Sequence, residues 1–251
     1  MFKKMIKSLV MTGLVAITFG ALPALAEDES PVSASADVSI LSQYVWRGIA
    51  FSDSSIVIQP SVTVAYGGFG INLWGNLDTD SAYIGDNDFN ETDLTLSYDW
   101  SAGDMVSMGA GYIYYAVPGA NTKELYFTVG LDTILAPSLT IYRDIDAAEG
   151  WYINLGIGHS ISFTDDISLD LAASVGYSDV DDYSEFHDGV LSASMTFSVN
   201  DYISITPSVT YTMALNDDFK TALELGPTGP LTNADSETDH FFGGVTCSIS
   251  F

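Results

Sequence analysis

His240-Phe241-Phe242-Gly243-Gly244-Val245-Thr246-Cys247-Ser248-Ile249-Ser250-Phe251 alternates, with Phe241, Val245, Cys247, Ile249 and Phe251 on one parity and Thr246, Ser248 and Ser250 on the other. Successive side chains of a strand point to opposite faces, so this segment has one apolar and one polar face. The same period of two recurs in about eleven earlier segments. Large aromatics bracket the apolar parity at both ends, as girdles do at two membrane interfaces. A soluble β-sandwich also alternates but needs no such bracket. The reading is an all-β chain folded as a transmembrane antiparallel up-and-down β-barrel.

Residues 1–26 stand apart. Lys3, Lys4 and Lys7 precede the apolar run Leu9 to Leu22, and Ala24-Leu25-Ala26 offers small residues for cleavage, which reads as a secretory signal peptide. Residues 27–35 are expected to be a periplasmic segment and 36–251 the barrel. Past the signal, no apolar run approaches the roughly 18 to 20 residues of a spanning helix. Nothing therefore retains the chain in the inner membrane, and the Gram-negative outer membrane is its expected destination. The sole cysteine, Cys247, has no intramolecular partner.

Polar and glycine-rich breaks place strands at about 36–49, 55–66, 69–77, 91–100, 105–116, 123–132, 138–144, 151–163, 167–177, 188–199, 203–213 and 240–251. Twelve is an even number, as an antiparallel bacterial barrel requires, and it leaves both termini in the periplasm. Short and long connections alternate. One register directs Tyr66, Phe69, Trp100, Phe163, Phe197 and Phe251 outward at the short-turn end, and Trp46, Tyr114, Trp151, Tyr177, Tyr211 and Phe241 outward at the long-loop end. Leu41 and Val45 fall inward and do not fit.

Ser42-Gln43-Tyr44-Val45-Trp46-Arg47-Gly48, followed by Ser52-Asp53, resembles the opening signature of the TorF-like porin family of proteobacterial outer-membrane proteins. Gly111-Tyr112-Ile113-Tyr114-Tyr115-Ala116-Val117-Pro118-Gly119 is a second match. Trp74-Gly75-Asn76-Leu77-Asp78 is a third, lacking the Ser of the family's Trp-Gly-Ser-Asn run. The resemblance implies a porin barrel and supplies no catalytic residue.

Beyond the signal the chain keeps Arg47, Lys123, Arg143 and Lys220 against 33 acids, a net charge of −29. Of those acids 21 fall in or beside the long connections, so the outer mouth is expected to be strongly negative. Such a field concentrates cations, repels anions and excludes nucleic acid as a partner. Carboxylates of the mouth could bridge to anionic lipid heads through Ca²⁺ or Mg²⁺. Asp86-Asn87-Asp88-Phe89-Asn90-Glu91 nevertheless lacks the glycine and terminal Glu of a calcium loop, and no metal residue is assigned.

Inside, the later strands present Ser, Thr and Gly, while the opposite wall is bulkier. Trp74, Tyr115, Tyr126, Tyr142 and Tyr152 point inward beside Asp93, Glu124 and Asp144. Rings with carboxylates suit sugars or cationic ring-bearing solutes, and rim filling is the plainer role. Arg47 is either a cation at a constriction or an ion-pair partner. Those nine residues are the pore-lining candidates. The expected function is a passive, cofactor-free, cation-preferring channel for small polar or cationic solutes. Outer-membrane lipids surround it, and the strand ending in Phe251 engages the barrel-assembly machinery.

Two alternatives are weighed. The first is a closed structural or adhesive barrel, in which the connection 214–238 with Gly226-Pro227-Thr228-Gly229-Pro230 plugs the lumen or meets a partner. The second is a lipid hydrolase built on His159, His187 or His240. His159 and Ser160 face opposite ways, and the other two lie at loop edges where histidine is usually solvated, so the chain is not read as an enzyme.

Overall fold

The computed structural model describes residues 32–80, 88–117, 121–147, 149–180, 183–224 and 234–251. The signal segment, Asp86 and the Gly226 to Pro230 motif lie outside them. In chain order the elements are β1 (Ser33–Leu41), β2 (Val45–Trp46), β3 (Ile49–Ala50), β4 (Val57–Tyr66), β5 (Phe69–Asp78), β6 (Asp88–Ser101), β7 (Val106–Ala116), β8 (Thr122–Leu131), β9 (Ser138–Asp144), β10 (Gly150–Ser162), β11 (Ile167–Val180), β12 (Tyr183–Ser198), β13 (Ile203–Ala214), α1 (Asp217–Glu224) and β14 (Asp239–Ser250).

Twelve of these strands form one closed antiparallel barrel: β1, then β4 to β14 in sequence, with β14 returning to β1. Closure pairs the backbone groups that hydrocarbon could not satisfy. The chain ends meet at the short-turn end, where Ala34 and Phe251 exchange N–H···O bonds of 3.2 and 2.9 Å. The expected parity holds around the wall. Rungs such as Tyr211↔Phe241 and Val38↔Cys247 lie outside, and Thr212↔His240 and Ser39↔Thr246 lie inside. Phe69, Phe163 and Phe251 are exposed at one end of the apolar band, and Trp151 and Phe241 at the other.

Strand bounds differ in places. β6 starts at Asp88, and β11 and β12 run nearly to each other. The exposed rings of Phe89 and Phe186 thereby join the long-loop belt. At the other extreme β1 begins at Ser33, inside the segment given to the periplasm.

The main correction concerns the first strand, expected over 36–49. It leaves the wall at Leu41, whose rung partner Gly244 carries no side chain; a Cβ there would lie 2.0 Å from the Ile40 carbonyl oxygen. Residues 43–52 turn into the lumen, and β2 pairs with β3 as a small hairpin with Arg47 and Gly48 at its tip. Their φ angles of 50° and 77° are the two left-handed positions of a type I′ turn, which the second residue meets at no steric cost and the first at about 1 to 2 kcal/mol. Trp46, expected in the outer belt, therefore sits inside the barrel. The misfit of Leu41 and Val45 is explained as well. Leu41 packs on Tyr44 and Val57, and Val45 on Ala50 and Phe242.

Two bulges re-aim side chains near the same end. β6 carries an extra residue at Asn90 opposite Asn76 and Leu77, and its amide oxygen accepts from Asn76 Nδ2 at 2.7 Å. β12 carries an extra residue between Phe186 and Gly189, which brings Asp188 to full burial on the lumen side. Over the mouth, α1 is capped by Asn216, whose Oδ1 accepts the Phe219 N–H at 2.7 Å. Its buried residues Phe219 and Leu223 pack on Ala214, with Ile49 and Tyr183 beside them.

Candidate functional site

The wall of the site comes from four successive strands, β7 to β10, whose inward parity carries Tyr115, Glu124, Tyr126, Tyr142, Asp144 and Tyr152. Tyr126, Tyr142 and Tyr152 form a ladder with ring centroids 5.9 and 6.0 Å apart. Two glycines make space for it. A Cβ at Gly111 would lie 2.3 Å from the Tyr126 hydroxyl, and one at Gly176 the same distance from both the Tyr152 hydroxyl and Asp188 Oδ1. Into that space the Tyr152 hydroxyl donates to Asp188 Oδ1 at 2.9 Å.

The hairpin brings Arg47 to this wall. Its two terminal nitrogens each donate to one oxygen of Glu124 at 2.8 Å, a bidentate pair. The guanidinium carbon lies 4.1 Å from the Trp46 and Tyr152 ring centroids and 4.7 Å from that of Tyr142. Tyr115 donates a further hydrogen bond of 2.8 Å to Glu124 Oε2. Burial works against the charge on Arg47, and Glu124, Tyr115 and Tyr152 together more than reverse this, so the guanidinium is held above its already high ordinary pKa. Of the two roles weighed for Arg47, the ion pair is the one observed.

Hairpin side chains also reach the other wall. Tyr44 packs on Trp74 with centroids 5.7 Å apart, and its hydroxyl donates to Glu91 Oε2 at 2.8 Å. Two residues along β6, Asp93 is 7% exposed with its Oδ1 unpartnered among the described residues. Trp46 stacks on Phe51 and meets Tyr115 edge-on. Asp144 accepts from the Thr122 hydroxyl at 2.6 Å and the Asp146 N–H at 2.9 Å, and so helps to hold the rim.

Ala234 and Asp235, ahead of β14, close over the hairpin from above. Gln43 Nε2 donates to Asp235 Oδ2 at 2.5 Å, His240 Nδ1 lies 3.2 Å from the same oxygen, and the Ala234 N–H donates to the Ala50 carbonyl at 2.8 Å. Burial pushes the Asp235 carboxyl up, but His240, the Glu237 N–H and Gln43 together hold it below its ordinary value. His187 is also mostly enclosed, stacked on Phe219 at 3.7 Å between centroids. Neither His187 nor His240 is therefore the solvated loop-edge histidine expected. His159 is exposed and bonds the Ile134 carbonyl.

Below the hairpin the lumen is lined by small polar residues such as Ser39, Ser61, Asn72, Thr128, Thr140 and Thr246, bonded in pairs across strands at 2.8 Å. Among the described residues facing the lumen or buried at its mouth, the carboxylates include Asp37, Asp78, Glu91, Asp93, Asp99, Glu124, Asp144, Asp170, Asp188 and Asp235, and Arg47 is the one Lys or Arg. Lys123 and Arg143 lie on the outward parity, and Lys220 lies on α1. No group of three or more His, Cys, Asp or Glu among the described residues is placed to hold a metal ion.

All nine pore-lining candidates thus sit on the inner side, eight on wall strands and Arg47 on the hairpin tip. The sequence reading missed the hairpin as an element, together with Tyr44, Glu91 and Asp188 as members of the site. Two inward misfits followed by a residue and glycine suited to a type I′ turn were the signal available for the first.

The fold and its partly filled lumen define the class: a transmembrane β-barrel of porin architecture. Residues 25–218 match the family described as bacterial protein of unknown function, Gcw_chp, and the chain belongs to it. Among solved structures it resembles the KdgM porin, with a TM-score of 0.58 at 13% identity over 86% of this chain and 99% of the other. The NanC porin gives a TM-score of 0.54 at 10% identity over 86% and 98%. An outer-membrane channel from Pseudomonas putida F1 gives 0.52 at 9% identity over 95% and 100%. No curated protein matches the chain significantly.

Proposed function

We propose that the protein is a passive outer-membrane channel for small cationic or neutral polar solutes, narrowed in its outer half by the inward hairpin. The observation that carries this reading is the acidic bias of the lumen, where side chains such as Asp37, Asp144 and Asp170 outnumber the one arginine, which Glu124 already engages. Such a path lowers the energy of a cation and raises that of an anion. One KdgM structure is titled as a complex with a disordered oligogalacturonate. That solute is itself a row of carboxylates, and this lumen offers it no free base among the described residues, so the preference does not transfer.

The signal segment and the Phe251 terminus support export and insertion by the barrel-assembly machinery, and the opening signature supports a place among TorF-like porins. The expected orientation puts both termini in the periplasm, outer-membrane lipid around the apolar band, and the acidic mouth and hairpin toward the exterior. The test is the reversal potential of the refolded protein in a planar bilayer under a potassium chloride gradient. A potential favouring potassium supports the reading, and one favouring chloride overturns it.

The hairpin and α1 favour a second reading, a barrel closed at rest. Conductance of the protein with residues 43–52 replaced by a short Gly-Ser link separates the two. Silence in both forms, with the barrel shown to be folded, leaves a closed structural or adhesive barrel.

A further inference from the structure

Arg47 is held unusually well for a residue at a turn tip. It carries a left-handed φ of 50°, and a non-glycine residue keeps that conformation only when its surroundings over-determine it. Here His187 bonds the Arg47 backbone, and the wall grips the guanidinium group. Both Glu124 oxygens engage its two terminal nitrogens at 2.8 Å, and the faces of Tyr152 and Tyr142 lie 4.1 and 4.7 Å from its central carbon. Tyr115 donates to Glu124 Oε2 at 2.8 Å and steadies the carboxylate.

The grip and the gripped group belong to different parts of the chain. Glu124, Tyr115, Tyr142 and Tyr152 stand on the rigid wall β7 to β10, whereas Arg47 stands on a hairpin of two-residue strands. The wall side is complete without the hairpin. It has a planar carboxylate fork flanked by the π faces of Tyr142 and Tyr152, with Asp144 as the cross-strand neighbour of Glu124. This is the chemistry that selects a planar, weakly hydrated guanidinium over a compact ammonium.

We infer that Glu124, Tyr115, Tyr142 and Tyr152 form a recognition site for guanidinium-bearing small molecules, occupied at rest by Arg47 as a tethered stand-in for the solute. A solute of that class competes with Arg47 for the fork, and its binding releases the hairpin from the wall. The inference deepens the channel reading and rests on it for its physiological meaning, while the site itself is testable without transport.

The experiment is chemical rescue. Full-length mature Arg47→Ala is refolded in detergent micelles, and its thermal unfolding midpoint is followed while guanidinium chloride is added at low millimolar concentration, with sodium and tetramethylammonium chloride as controls. Guanidinium should raise the midpoint by about 2 to 4 °C at roughly five times its dissociation constant. The two control cations should not, and Arg47→Ala/Glu124→Gln should lose the response. If Arg47→Ala refolds poorly, Arg47→Met retains side-chain volume and is measured identically, and a refolding yield restored by guanidinium counts as rescue. Equal responses to all three salts, or to guanidinium with and without Glu124, would overturn the site and leave an ordinary structural ion pair. Rescue combined with silence in bilayers would keep the site and remove the channel. Conductance without rescue would do the reverse.

Discussion

Single residues carry the constriction through complementary vacancies and charges. Gly176 is the sharpest case, because any side chain there collides with the Tyr152 to Asp188 hydrogen bond. Gly176→Ala should destabilise the barrel by about 1 to 3 kcal/mol, read as a lower midpoint of urea unfolding in micelles. Arg47 and Glu124 form a buried pair, and removing either partner alone leaves a charge without compensation. Glu124→Gln or Arg47→Met should each cost about 3 to 5 kcal/mol, and the double variant less than the sum of the two. A double-mutant cycle on the same unfolding curves checks this. Asp93 is buried beside Glu91 with its Oδ1 lacking a hydrogen-bond partner among the described residues, so that oxygen adds nothing to the scaffold. Asp93→Asn should therefore leave the unfolding midpoint unlowered on the same urea curves.

At the scale of elements, the inward hairpin is held from two directions. Below it are the ion pair and the contacts of Tyr44 and Trp46. Above it Asp235 accepts from Gln43 and meets His240. Because the Asp235 carboxyl is held below its ordinary value, its contribution is complete above the unfolded pKa near 4 and is lost as pH falls through the folded value. Protease protection of residues 234–238 should therefore decline only below about pH 4. Asp235→Asn should show the unprotected pattern already at neutral pH, measured by limited proteolysis of the folded barrel. Exchanging residues 43–52 for a Gly-Ser link should raise single-channel conductance, since rings and an ion pair leave the lumen while the wall strands remain paired.

At the scale of the whole molecule, the exterior and interior obey different solvents. The outer parity presents an apolar band ending in rings at both rims, while the inner parity carries hydroxyls, amides and carboxylates. Eight strands make a barrel that side chains just fill, and 16 to 18 leave a wide channel. Twelve strands leave room that this chain occupies toward the long-loop end with its own backbone and lines toward the short-turn end with small polar side chains. Conductance is therefore expected to be set by the hairpin, and selectivity by the carboxylates above and below it.

The alternation of Phe241 to Phe251 and its repeats determined the barrel, its twelve strands, its register and the inward placement of Trp74, Tyr115 and the tyrosine ladder, because side-chain direction in a strand is a local consequence of the backbone. The acidic balance was equally legible, since charge is additive along a chain. The path of residues 43–52 was decided only by the tertiary structure. Trp46 is amphipathic enough for a membrane belt or a lumen, and a period of two does not say where a strand stops being wall. What chose the lumen was a set of partners distant in sequence: Glu124 for Arg47, Glu91 and Trp74 for Tyr44, and Asp235 for Gln43. Those contacts exist only after the barrel has closed around them.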